Sequence, residues 1–141
     1  MYLIFLADFN VSAMVERYQD KKIDSVEGTM YFYAPETCSD DVNEDRFDAF
    51  PLDVWALGVT TFALTFLSLP FKSENNCYTD LTEKICKAEV EFPNHIRKVS
   101  PELKTLILRM LEKDPKKRIT CNELKLYKWL HYGKKWITHS K

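Results

Sequence analysis

A mainly α-helical domain, with one short β segment, a long polar loop and four to five helices, is the fold class this sequence predicts. Three observations predict it. Apolar residues recur at helical spacing through the second half of the chain. Proline and hydroxyl residues stand where helices start and stop. Only Tyr2 to Ala7 has β-like character, and it ends on an Asp8-Phe9-Asn10 turn.

The elements follow in chain order. Residues 13 to 30 are polar without a sustained period and read as a long surface loop, a length that in a compact domain points to function or disorder. Residues 38 to 50 are a second polar stretch. A helix is expected from about Pro51 to Ser68, because Pro51 suits a first turn and Pro70 marks a stop. A shorter helix over 78 to 88 places Leu81, Ile85 and Ala88 on one face. Ser100 caps the next helix and Pro101 fits its first position. Leu103, Leu106, Ile107, Met110 and Leu111 then form a single apolar stripe. Asp114-Pro115 stops it, since the residue before proline is pushed out of the α region. Thr120 and Glu123 have capping-box spacing and open a last helix that buries Leu124, Trp129 and Leu130. Residues 131 to 141 form a basic, aromatic tail.

Length and composition bound the function. One domain fits 141 residues, and 45% hydrophobic with 29% charged residues is ordinary for a globular protein. Twenty basic against twenty-one acidic side chains leave no excess for nucleic-acid binding. Cys38, Cys77, Cys86 and Cys121 form no C-x-x-C pair or zinc-like cluster, and read as four reduced thiols in a cytoplasmic or nuclear protein. His95, His131 and His139 are scattered. The apolar N-terminus has no positive region and meets Asp8 at once, unlike a signal peptide. Val54 to Phe71 is uncharged for eighteen residues, yet Gly58, three threonines, Ser68 and Pro70 dilute it. It reads as a buried central helix rather than a membrane span.

Four segments carry chemistry by their order. Asp8 is a carboxylate on a tight turn, a place suited to a hard cation such as Mg²⁺, although an aspartate at a turn is usually only a turn residue. Gly28-Thr29 precedes Ala34-Pro35-Glu36; Asp53, Trp55 and Gly58 open the central helix; Asp114-Pro115, Arg118 and Thr120 join the last two helices. A carboxylate and a guanidinium this far apart in sequence can fix a long loop if they meet in a buried site.

Together these segments resemble the eukaryotic Ser/Thr protein kinases, over nearly the whole chain from Leu3 to about Leu130. Asp8-Phe9-Asn10 is similar to the family's Asp-Phe-Gly motif, and Ala34-Pro35-Glu36 matches its Ala-Pro-Glu motif. Within the family, Val11-Ser12, Leu52 to Thr60 and Glu91 to Pro93 look most like calcium/calmodulin-dependent protein kinase kinases. The resemblance implies a kinase-like C-lobe over 1–130, and a family reaction that moves the ATP γ-phosphate to a protein hydroxyl with Mg²⁺. It also implies roles. Asp8 would hold Mg²⁺ on the ATP phosphates, and Phe9 would pack in the spine between lobes. Thr29 would line the substrate loop, and Gly28-Thr29 favours Ser/Thr over Tyr. Glu36 and Arg118 would form a buried ion pair. Asp53 would accept hydrogen bonds from the catalytic-loop backbone, and Trp55 would pack beneath the substrate loop. Ser25 lies where many kinases carry an activating phosphate.

The sequence also departs from the family pattern. Asn10 stands where the family has glycine, a position that invites left-handed backbone angles. No Gly-rich loop, Val-Ala-Ile-Lys strand or His-Arg-Asp loop occurs, so no catalytic base is assigned and the isolated chain is expected to be inactive. The expected partners are protein substrates, with a downstream kinase among them, and neither nucleic acid nor membrane. A non-catalytic interaction module derived from a kinase lower lobe is the alternative.

Overall fold

The computed structural model describes residues 5–12, 22–23, 26–38, 47–75, 77–93 and 99–127. Among them are five α-helices and a two-stranded ladder. The chain runs β1 (Lys22–Ile23), a 3-10 turn (Met30–Phe32), α1 (Pro35–Cys38), β2 (Phe47–Asp48), α2 (Ala49–Phe66), α3 (Tyr78–Lys87), α4 (Pro101–Met110) and α5 (Cys121–Leu126). β1 and β2 are antiparallel, with Lys22 opposite Asp48 and Ile23 opposite Phe47. The mainly helical expectation holds.

The expected β segment at Tyr2 to Ala7 is corrected in place. Phe5 to Ala7 are exposed and carry no regular structure, and residues 1–4 lie outside the described set. A strand exists only where its backbone finds a partner, and the described partnership is between β1 and β2. Much of the two polar stretches, Ser25, Trp129, Leu130 and the 131–141 tail also lie outside the described residues.

α2 starts two residues earlier than the proline suggests. Asp48 caps it, its carboxylate accepting from the Phe50 N–H at 3.2 Å, so Pro51 sits inside the first turn. α2 ends on Leu67 at φ 53, whose N–H returns to the Ala63 carbonyl. That left-handed cap is a place where glycine is usual. One stripe of α2, comprising Val54, Trp55, Gly58, Val59, Phe62 and Phe66, is buried. It packs against α4, whose Leu106, Ile107 and Met110 face inward.

Gly58 decides how closely the two helices meet. A Cβ there would stand 2.9 Å from Leu111 Cδ2 and 2.9 Å from Met110 Cβ. The core extends to Phe71, Leu81, Ile85, Ile119 and Leu124. The helix starts follow the expected chemistry. Ser100 Oγ accepts from the Leu103 N–H at 3.2 Å, and Pro101 occupies the first turn of α4. Thr120 and Glu123 complete a reciprocal capping box at the start of α5.

Candidate functional site: an ion pair that pins the Gly28–Glu36 segment

Arg118 follows Asp114-Pro115, where the chain turns between α4 and α5. Backbone bonds from the Lys117 and Arg118 N–H groups to the Asp114 carbonyl close that turn. The guanidinium is carried inward and is 3% exposed as a residue. Burying a cation is expensive unless its donors are satisfied and an anion is near. Here both conditions are met. Arg118 donates from two nitrogens to the two Glu36 oxygens, each at 2.7 Å. It also donates to the carbonyls of Pro51 and Glu112, each at 2.8 Å. Glu36 lies in α1, Pro51 in α2 and Glu112 just after α4, so one side chain ties three helices together.

Aromatic rings line this cluster. Trp55 is fully buried and stacks on Phe71, with centroids 5.8 Å apart and planes 8° from parallel. Arg118 Cζ lies 5.0 Å from the Trp55 centroid, a cation–π distance. Lys113 Nζ lies 3.9 Å from the Phe71 centroid and 5.2 Å from that of Trp55. Its ammonium also donates to the Ile85 carbonyl of α3. Burial, aided by the nearby Arg118 charge, lowers the Lys113 pKa to about 8, against an opposing pull from Cys86. Trp55 Nε1 has no acceptor among the described residues, a cost of roughly 1–3 kcal/mol.

Upstream of Glu36, the backbone makes a turn that only Gly28 suits, at φ 125. The Tyr33 hydroxyl reaches back to the carbonyls of Gly28 and Val26, at 3.4 and 3.5 Å. Thr29 caps the 3-10 turn through its backbone, its carbonyl accepting from the Phe32 N–H at 2.9 Å, and leaves its hydroxyl exposed. The Ala34 carbonyl accepts from both the N–H and the hydroxyl of Thr37, which orders α1.

The structure brings Glu36 and Arg118 together, the pair that the resemblance implies, and places the Trp55 ring against the guanidinium. Asp8, Phe9, Thr29 and Asp53 are on exposed positions. Phe9 is 65% exposed. Partial desolvation on α2 raises the Asp53 carboxyl above the ordinary aspartate value. The left-handed angle expected at position 10 is found instead at Asp8, with φ 65, while Asn10 has a negative φ. Such a conformation costs roughly 1–3 kcal/mol in a residue with a Cβ and collects at functional turns. A bond from the Ser12 N–H to the Phe9 carbonyl, at 3.1 Å, closes the turn behind it.

Sequence reasoning missed Lys113, Phe71 and the Pro51 carbonyl. Lys113 adjoins the Asp114-Pro115 segment, but nothing in the pattern says a lysine there turns inward. Phe71 follows a helix-stopping proline and belongs to no periodic run. A second face of α2, with Phe50, Leu57, Leu64 and Leu67, is apolar and exposed; Leu64 and Leu67 are 75% and 82% exposed.

A helical lobe with a loop anchored by a buried carboxylate–guanidinium pair is the class of structure that these residues define. A family model described as protein kinase domain matches residues 3–130. The chain belongs to the protein kinase family. It is 34% identical to CBL-interacting serine/threonine-protein kinase 15 of Arabidopsis thaliana over 129 residues, 91% of this chain and 28% of that protein. It is 34% identical to serine/threonine-protein kinase ssp1 of Schizosaccharomyces pombe over 144 residues, 96% of this chain and 22% of that one. It is 36% identical to the human SNF-related serine/threonine-protein kinase over 129 residues, 91% of this chain and 15% of that one. The chain therefore spans less than a third of each of these relatives. The family uses ATP and Mg²⁺ and acts on proteins.

Proposed function

We propose that this chain is lower-lobe material of a Ser/Thr protein kinase whose reaction moves the γ-phosphate of ATP to a Ser or Thr hydroxyl. The observation that carries the reading is the Glu36–Arg118 pair, which anchors the Gly28–Glu36 segment over α2. A substrate loop has to keep its shape while protein substrates come and go, and a buried two-bond anchor provides that.

Mg²⁺ is commonly held by one or two carboxylates together with substrate phosphates. Asp8 fits one such place, as an exposed carboxylate on a closed turn. Among the described residues no group of three or more His, Cys, Asp or Glu gathers to hold a metal without phosphate. Bound Mg-ATP would supply the transferable phosphoryl group and the charge that offsets the developing negative charge. The chain's own residues orient: the strained backbone at Asp8 aims its carboxylate, and Thr29 offers a hydroxyl beside the substrate position.

The isolated chain is inactive in this reading. Transfer depends on positioning and on charge stabilisation, and one carboxylate supplies neither a base nor a phosphate clamp. Grafting residues 1–130 into the matching position of an active Ser/Thr kinase tests the family role. The chimera should phosphorylate protein substrates, and Asp8→Ala should abolish that activity. A folded but inert chimera would overturn the reading. Transfer of labelled phosphate by the purified chain alone would overturn the inactivity.

The finer expectations belong to the same proposal: a downstream kinase among the substrates, no nucleic-acid or membrane partner, and a cytoplasmic or nuclear location. The likeness to calcium/calmodulin-dependent protein kinase kinases rests on the quoted sequence segments. α2 is long and apolar enough to cross a membrane, but its buried stripe supports the core of the lobe, which favours a water-soluble role. A second reading, a non-catalytic interaction module, is favoured by the exposed apolar face of α2.

A further inference from the structure

Cys38 and Cys86 are 48 positions apart and lie on α1 and α3, two helices that pack together. The Cys86 thiol donates to the Pro35 carbonyl across 3.7 Å. A carbonyl in a helical turn points along the axis toward the residues three and four positions on. The Cys86 sulfur therefore abuts the turn that ends in Cys38. Both side chains are half-buried, whereas Cys77 and Cys121 are exposed. We propose that Cys38 and Cys86 are a redox-active thiol pair that closes into a disulfide across the α1–α3 contact when a low-molecular-weight disulfide, such as oxidised glutathione, is the oxidant.

The exchange proceeds in two displacements. The Cys86 thiolate attacks one sulfur of the small disulfide, whose S–S bond breaks, and one small thiolate leaves and takes up the proton Cys86 released. The Cys38 thiolate then attacks the Cys86 sulfur of the mixed disulfide, and the second small thiolate leaves with the proton from Cys38. Two S–H bonds and one S–S bond are lost, and one protein S–S bond and two small thiols form. Cys86 is the opening nucleophile. Burial pushes its thiol up, and the positive charges of Lys113 and Lys87 draw it part of the way back. Burial, with the Cys86 charge adding to it, pushes Cys38 to about 11. Closure is accordingly slow near neutral pH and faster as pH rises. Once formed, the bond ties α1, and with it Glu36, to α3 independently of Arg118.

The test treats the full chain with excess oxidised glutathione, once folded and once in guanidinium, and maps disulfides by mass spectrometry. In the folded chain Cys38 should be joined to Cys86, while the exposed Cys77 and Cys121 carry at most glutathione and form no link with either. Cys38→Ser and Cys86→Ser should each remove that link, and dithiothreitol should restore all four thiols. A chain with Cys77→Ser and Cys121→Ser should still close, as a monomer. The proposal is overturned if Cys38 and Cys86 both stay free while Cys77 or Cys121 is modified, or if folded and unfolded chains give the same mixture of pairings.

Discussion

Glu36 and Arg118, 82 positions apart, face each other through two parallel N–H···O bonds of 2.7 Å in a site where the arginine side chain is 1% exposed. This geometry separates the pair from the other ion pairs described. Lys87 with Glu83 is 76% and 65% exposed, and such pairs contribute ~0–1 kcal/mol. Arg118→Leu leaves Glu36 without its cation, and strands the Pro51 and Glu112 carbonyls. The expected loss is ~3–5 kcal/mol. Urea unfolding of the variant checks it, and an unchanged midpoint would remove the pair from its anchoring role. Arg118→Lys should recover only part of the loss, because an ammonium cannot make both bonds in one plane.

How much of this was legible in the sequence follows from what each feature depends on. α4 was readable because its cap, first-turn proline and stripe are all local, although it ends at Met110, ahead of the expected Asp114-Pro115 stop. Its Ser100 and Pro101 do what their types predict. The Glu36–Arg118 pair was readable only through family resemblance, since no local pattern joins residues 82 positions apart. Phe5 to Ala7, the described part of the expected strand, carry no regular structure, because strand character is a relation between two segments and not a property of one. Lys113 was unreadable for another reason: a lysine's direction is set by the ring faces and carbonyl it finds, here Phe71, Trp55 and Ile85.

Gly58→Ala tests the α2–α4 approach. Inside a helix, alanine is favoured over glycine by about 1 kcal/mol. The added Cβ would lie 2.9 Å from both Met110 Cβ and Leu111 Cδ2. Leu111 can turn aside, but Met110 Cβ moves only with the α4 backbone. Overpacking of this kind costs ~1–3 kcal/mol, so the clash outweighs the propensity. A net loss of ~1–2 kcal/mol is expected in chemical unfolding, and a stabilised variant would show that α2 and α4 can separate freely.

Leu67→Gly should act in the opposite direction. Leu67 holds φ 53 with its side chain 82% exposed, so little packing is lost with it. The left-handed angle costs an L-residue ~1–2 kcal/mol, whereas glycine carries an entropic penalty of roughly 0.5–1 kcal/mol. The difference favours the glycine variant by ~0.5–1 kcal/mol. A rise in the thermal midpoint is the expected readout; a fall would mean that Leu67 packs on something in solution.

Lys113 gives the chain a stability that depends on alkaline pH. Burial is the main cause of its drop from 10.5 to about 8 in the folded chain. Between those values the unfolded chain holds a proton that the folded chain has released. Stability therefore rises as pH climbs from about 8 toward 10.5. The side chain is only half-buried, so solvent screening reduces the gain to on the order of 1 kcal/mol. Cys38 works against it. Its folded value of about 11 exceeds the ordinary 9.0, so its contribution is present below pH 9 and is lost as pH rises through 11. Comparing the chain with Lys113→Met, both carrying Cys86→Ser, isolates the lysine, because Cys38 is common to both and the Cys86 thiol that Lys113 draws down is absent from both. The methionine keeps contact with Phe71 and Trp55 but cannot donate to the Ile85 carbonyl. Urea midpoints measured from pH 7.5 to 10 should climb more steeply for the chain that keeps Lys113. Parallel curves would mean that Lys113 is as well solvated in the folded chain as in the unfolded one, and that its place over the Phe71 ring does not shift its proton.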